Sequence, residues 1–234
     1  MKENKIWNDY LPEDMQEHWT VYECLKESED SSTFLVKETA TGILCVLKWG
    51  RNRQTEFLRN EMEIMKKMAD RKLSGIPKAY RIFEENGEVY LVREYIEGMS
   101  LAQMVLQKGG ISEAEICRIS RKICQTAEQF QNPDEPMIHR DIKPENIVVT
   151  PGGEVVFIDF GTMRSYKKDG SRDTFVVGTR GTAAPEQYGY TQTDQRTDVY
   201  AIGQTMLYMV SESYEMNQLS ECAVSRRMKK IIEK

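Results

Sequence analysis

Between residues 139 and 161 the chain gathers four side chains whose types and spacing could do chemistry: Asp141, Lys143, Asn146 and Asp159. Asp141 and Lys143 stand two apart, the spacing at which an extended loop points both side chains the same way. A carboxylate so placed can take the proton of an attacking hydroxyl, and an ammonium beside it can neutralise a phosphate. Asn146 and Asp159 offer an amide oxygen and a carboxylate, hard donors that suit Mg²⁺. A hairpin must position them. Residues 147–150 form one arm, residues 154–158 the other, and Pro151-Gly152-Gly153 the turn. Its open end brings Asn146 and Asp159 near each other.

The order His139-Arg140-Asp141, Asn146, Asp159-Phe160-Gly161 and Ala184-Pro185-Glu186 resembles the eukaryotic-type (Hanks-type) serine/threonine protein kinase family. Lys143, two residues after Asp141, fits the serine/threonine branch. Gly178-Thr179-Arg180-Gly181 and Glu186-Gln187-Tyr188-Gly189 look like bacterial members. The resemblance covers residues 19–234. It implies an α+β, bilobal fold with a small β-rich N-lobe over 19–95 and a mostly helical C-lobe over 96–234, after a polar leader over 1–18 that could pack Trp7 and Tyr10 on the domain. It also implies ATP and Mg²⁺ as cofactors and a protein substrate with a serine or threonine acceptor. On that resemblance Asp141 is the base, Lys143 steadies the γ-phosphate, and Asn146 and Asp159 hold Mg²⁺. His139 packs beneath the loop, and Thr179 bonds Asp141 and Lys143.

In the N-lobe, strands flank a Thr41-Gly42 turn, and Lys48 ends the apolar run of residues 43–47. Lys48 matches the family lysine for the α/β-phosphates. A helix over 54–68 carries Phe57, Glu61, Ile64, Met65 and Met68 on one stripe. Glu61 on that buried face needs a cation, and Lys48 is the expected partner; Glu63 is the alternative. Asn86-Gly87 joins residues 79–83 and 89–92 as a hairpin. Glu94 and Ile96 then fall where the family binds adenine through main-chain groups. Arg93, just before them, either takes an anion such as Glu61 or Asp159 or extends to solvent.

One motif departs from the family. Residues 26–34 (KESEDSSTF) occupy the place of its glycine-rich loop, yet the glycine positions hold Lys26, Ser28 and Ser31, or fall in a neighbouring register that has no glycine either. Glu27, Glu29 and Asp30 add negative charge where a triphosphate would sit. Glycine lets backbone amides approach phosphates closely, so its absence favours a second reading, a pseudokinase that acts as a regulatory or scaffolding module.

In the C-lobe, Ser112-Glu113-Ala114-Glu115 predicts a capping box at the head of a helix with Ile116, Ile119, Ile123, Ala127 and Phe130 inward and Cys117 and Cys124 beside that stripe as packing residues. Pro133 and Pro136 break the chain before the loop. Residues 162–183 match the activation segment, with Lys167, Lys168 and Arg172 and the hydroxyls Thr162, Ser165, Ser171 and Thr174. Autophosphorylation at Thr174 or Ser171 would compensate Arg140, a charge otherwise left without a partner. Asp198 is expected to cap a helix through Val210, apolar nearly all round, and to tie down the catalytic loop. Beyond it the chain looks short for the family. A last helix carries Met228, Ile231 and Ile232 on one side, and no arginine is in view for Glu186.

Composition sets the outer bounds. With 234 residues, 40% hydrophobic and 29% charged, the chain suits one large domain or two small lobes around a real core. The net charge of −5 gives no general attraction to nucleic acid or anionic membrane. Five scattered cysteines without C-x-x-C spacing fit reduced, mostly buried thiols and a cytoplasmic setting. No signal peptide or 18-residue apolar run is visible, so no membrane segment is expected. A small-molecule phosphotransferase is disfavoured by Lys143-Pro144 and Ala184-Pro185-Glu186.

Overall fold

The computed structural model describes residues 11–132, 134–166, 177–189 and 192–233. Two compact units divide them: one holds residues up to Arg71 with Pro77–Tyr95, the other Lys72–Ile76 with the residues from Ile96 onward.

In the first unit, helix α1 (Glu13–Gln16) leads into strands β1 (Trp19–Glu27), β2 (Ser31–Glu38) and β3 (Leu44–Gly50). Helix α2 (Gln54–Asp70) follows, then β4 (Ala79–Glu85) and β5 (Glu88–Glu94). All neighbours in the sheet are antiparallel, in the order β1-β2-β3-β5-β4. Alternation drives β2, where Ser32, Phe34 and Val36 are buried and the residues between them are not. Strand β3 is buried on both faces from Cys45 to Lys48, as befits the middle of the sheet. At the β4–β5 turn Asn86 (φ 50°) and Gly87 (φ 81°) both take the left-handed conformation that a two-residue hairpin demands. Leu11 and Met15 join Trp19, Phe34, Val36 and Leu47 in one apolar cluster, so residues 11–18, set apart in the sequence as leader, contribute to this unit's core. Trp7 and Tyr10 lie outside the described residues.

The expected α2 stripe is corrected at one position. Glu61, Ile64, Met65 and Met68 are buried, but Phe57 is not. Leu58 and Met62 take the inner face and pack with Val89 and Leu91, while the Phe57 ring lies under the Arg53 guanidinium.

The second unit contains β6 (Met99–Ser100), α3 (Leu101–Lys108), α4 (Glu113–Glu128), β7 (Met137–Ile138), β8 (Ile147–Val149), β9 (Val155–Phe157), β10 (Arg164–Ser165), α5 (Gln195–Ser211) and α6 (Arg226–Ile232). The β8–β9 hairpin forms in register, Ile147 opposite Phe157. Helix α4 buries Ile116, Ile119, Ile123 and Ala127, with Phe130 just beyond, and packs on α5 and β9. Its cap is half of the expected box: Ser112 Oγ accepts from the Glu115 amide, while the Glu115 carboxylate turns to Lys108. Reciprocal capping occurs instead on α3, between Ser100 and Gln103.

Four further expectations are corrected here. Helix α5, expected to be buried on all sides, is not: Val199 and Tyr200 are exposed on its outer side. Asp194 caps it, accepting from the Arg196 amide, and this frees Asp198 for another role. In α6, Met228 and Ile232 face inward but Ile231 is exposed. Finally, the thiols are not mostly buried. Only Cys45 is; Cys117 and Cys124 are exposed and Cys24 and Cys222 intermediate.

Candidate functional site

The β8–β9 hairpin builds one half of the site. Ile158 N–H donates to the Asn146 carbonyl at 3.0 Å, closing the open end and setting Asn146 beside the residue that precedes Asp159. Upstream, Asp141 and Lys143 do point together, with Lys143 Nζ 2.8 Å from Asp141 Oδ2. Thr179 Oγ1 donates to Asp141 Oδ1 at 2.7 Å and accepts from Lys143 Nζ at 2.6 Å. Asn146 Nδ2 donates to the other carboxylate oxygen and to the Asp141 carbonyl, at 2.9 and 3.0 Å. The carboxylate is thus oriented from three directions.

Beneath it, His139 is completely buried among the rings of Phe130, Phe157 and Phe160. Burial pushes its imidazole down to about 4, against the pull of the Asp141 and Asp159 charges. A neutral ring is what the contacts require, because Nδ1 accepts from the Asp141 amide. Asp198 holds the loop from α5: its two oxygens accept from the His139 and Arg140 amides, each at 2.9 Å. Burial pushes this carboxyl up to about 6, with both amides and Arg140 opposing.

Arg140 is not left without a partner, as the sequence suggested. Its backbone is left-handed (φ 68°), and Nε donates to the Thr162 carbonyl at 2.7 Å. Thr162 Oγ1 in turn donates to the His139 carbonyl, and Ser165 Oγ to Glu135. Ser171, Thr174, Lys167, Lys168, Arg172 and Pro133 lie outside the described residues. Glu186 finds its partner in Thr197, whose hydroxyl donates at 2.6 Å.

The donor set fits a hard cation. Both amide protons of Asn146 go to Asp141, which leaves its Oδ1 as the free donor oxygen, and Asp159 brings a carboxylate with one oxygen accepting from Gly161 N–H at 3.3 Å. Among the described residues no cluster of three His, Cys, Asp or Glu side chains suggests a softer metal.

Lys48, Glu61 and Glu94 lie in the first unit. Lys48 Nζ donates to both Glu61 oxygens, at 2.9 and 2.7 Å, and both residues are buried. Glu63, the alternative, is exposed and pairs with Lys67. Arg93 does not extend to solvent: it is buried, and Nη1 donates to the Glu94 carbonyl at 2.9 Å. The Glu94 amide donates to Lys78 O, and its carboxylate accepts from Lys78 N–H. Ile96, half-buried, lies at the start of the second unit.

Residues 28–31, where glycines were lacking, form a tight turn. Ser28 N–H and Oγ both donate to the Ser31 carbonyl, at 2.8 and 2.9 Å. Arg51 clamps the turn through Asp30 Oδ1 (3.1 Å) and the Glu29 carbonyl (2.9 Å), and Asn52 donates to the same Asp30 oxygen.

Residues 20–233 match the protein kinase domain. The chain belongs to that family. Among its relatives, serine/threonine-protein kinase D of Synechocystis is 32% identical over 77% of this chain and 38% of its own length. A probable serine/threonine-protein kinase of Clostridium perfringens is 35% identical over 58% of this chain and 20% of its own. The 3-phosphoinositide-dependent protein kinase 1 of Arabidopsis thaliana is 26% identical over 85% of this chain and 43% of its own. The chain therefore spans about a fifth to two fifths of the length of these relatives. No helix among its described residues is long and apolar enough to cross a membrane.

Sequence reasoning missed two residues, Asp194, which caps α5, and Gln187. Asp194, one residue before α5, carried the ordinary N-cap signal. Gln187 carried little local signal, because only Ala184 is near it in the chain and its other two partners are 10 and 47 residues away.

Proposed function

We propose that the chain is an ATP- and Mg²⁺-dependent serine/threonine kinase that transfers the γ-phosphate to a hydroxyl of a protein substrate. The observation that carries this reading is the closed set Asp141–Thr179–Lys143, in which a carboxylate and an ammonium are held together by one hydroxyl. Asp141 serves as base for the acceptor hydroxyl, and Lys143 steadies the transferred group. Asn146 and Asp159 hold Mg²⁺, which supplies neutralisation of phosphate charge. Lys48, fixed by Glu61, takes the α/β-phosphates, and main-chain groups of Glu94 and Ile96 take adenine. Residues 19–95 and 96–234 act as its two lobes. A cytoplasmic, bacterial protein without nucleic-acid partners fits the acidic charge and the scattered cysteines without C-x-x-C spacing.

A second reading, a pseudokinase that scaffolds partners, is favoured by the clamped, glycine-free turn and by the engagement of the Glu94 carbonyl with Arg93. Phosphate incorporation from labelled ATP with Mg²⁺, into the protein and into a generic basic substrate, separates the two. Label in the wild type that vanishes in Asp159→Ala and falls by roughly 10²–10⁴ in Asp141→Asn supports the kinase. Folded wild type that takes up no label gives the scaffold.

A further inference from the structure

Gln187 follows directly on Ala184-Pro185-Glu186, and its buried side chain has every polar group in use. Nε2 donates to the Arg140 carbonyl at 2.6 Å and to the Val177 carbonyl at 2.9 Å, while Oε1 accepts from the Ala184 amide at 2.9 Å. A primary amide has two protons, so both are spent. Arg140 is the residue before Asp141, and Val177 lies two before Thr179. One side chain therefore ties the loop that bears Asp141 to the segment that bears Thr179.

Gly178 makes this approach possible. Its φ is +132°, and a Cβ there would come within 2.7 Å of Gln187 Nε2 and 2.8 Å of the Ala183 Cβ. The carbonyl of Thr179 accepts from the amides of Thr182 and Ala183, at 3.1 and 2.8 Å, which fixes its backbone from the other side. The Thr179 hydroxyl is delivered from this seat to Asp141 and Lys143.

We propose that Gln187 is a positioning residue for phosphoryl transfer: by bridging Arg140 and Val177 it sets the Thr179 hydroxyl, and through it the Asp141 carboxylate and the Lys143 ammonium. This rests on the reading of those three residues as the transfer centre. Gln187 touches none of them through its side chain, so its effect is on alignment. Misplacement by a fraction of an ångström to an ångström is enough to slow a reaction that depends on in-line geometry.

Gln187→Met keeps the length and bulk of the side chain and removes both donors. In the full chain kcat should fall on the order of 10–100-fold with KM for ATP unchanged. Thr179→Val should show a similar loss, and the double variant should fall no further than the weaker single, because the two residues act as one unit. Undiminished kcat in Gln187→Met, or losses that multiply in the double variant, would overturn the proposal. Should Gln187→Met fail to fold, Gln187→Glu answers the question. Its carboxyl donates one bond when protonated and none when ionised, so its activity relative to wild type should rise as pH falls. A constant ratio counts against Gln187. Asp141→Asn, run alongside, keeps the two levels apart: if it stays active, the transfer-centre reading has failed, whereas if it is dead and Gln187→Met is fully active, only the role of Gln187 has.

Discussion

Lys48 and Glu61 meet through both carboxylate oxygens, inside one unit and shielded from water. Removing one member leaves the other charge buried, which costs about 3–5 kcal/mol, whereas replacing both by apolar residues is close to neutral. Lys48→Met should therefore lower the urea midpoint more than Lys48→Met/Glu61→Leu does. Both should lose nucleotide-dependent activity. An equal loss of stability in the single and double variants would show that the pair is not coupled as its geometry indicates.

His139 and Asp198 titrate against each other. The imidazole is depressed to about 4 from its usual 6.5, so the folded state loses stability as pH falls through that window. The Asp198 carboxyl is raised to about 6 from 3.8, so the folded state loses stability as pH rises through that one. The two shifts are of similar size and their signs oppose. Asp198→Asn removes one side of this balance. Its stability between pH 4 and 6 should climb with pH more steeply than the wild type's, as measured by chemical unfolding at a series of pH values.

The turn at residues 28–31 is held by exposed groups, so its loss should be local. Asp30→Ala takes the acceptor from Arg51 and Asn52, both with their partner about half exposed to water. Global stability should change by less than about 1 kcal/mol. Amide exchange at Ser28 should nevertheless accelerate while that of the buried β3 strand does not. Hydrogen exchange read residue by residue would show this, and uniform exchange across both would contradict it.

The thiols should separate by reactivity. Cys117 is exposed and should react first with a disulfide reagent. Cys124 is exposed as a residue, but partial burial of its thiol and the Glu128 charge push its pKa up, so it should follow more slowly. Burial and Glu38 raise Cys45 likewise, and it should react only on unfolding. Mass spectrometry of the labelled native protein gives the order.

Much of this was legible in the sequence because it is local. Asn86-Gly87 fixes its hairpin by turn chemistry alone, and Pro151-Gly152-Gly153 does the same for the arms that bring Asn146 and Asp159 together. Glu61 was readable as the one acid on an apolar stripe, which made its pairing with Lys48 a physical necessity. Where the sequence misled, tertiary context decided. Phe57 and Ile231 have apolar character but sit one position off the inward arc, so packing of their helices chose Leu58 and Ile232 instead. Val199 and Tyr200 sit in an apolar run without being covered. Arg140 and Gln187 are satisfied by carbonyls distant in the chain, and no periodicity encodes such bonds.

The clamp on the Ser28–Ser31 turn has an entropic consequence. A loop that settles over a ligand surrenders its backbone freedom on binding, at about 1–2 kcal/mol for each residue ordered. Here the serine bonds and the Arg51 clamp have already removed that freedom when the chain folds. Nucleotide that binds this protein would meet a reduced ordering cost at this turn, and calorimetry should find a binding entropy less unfavourable by that reduction.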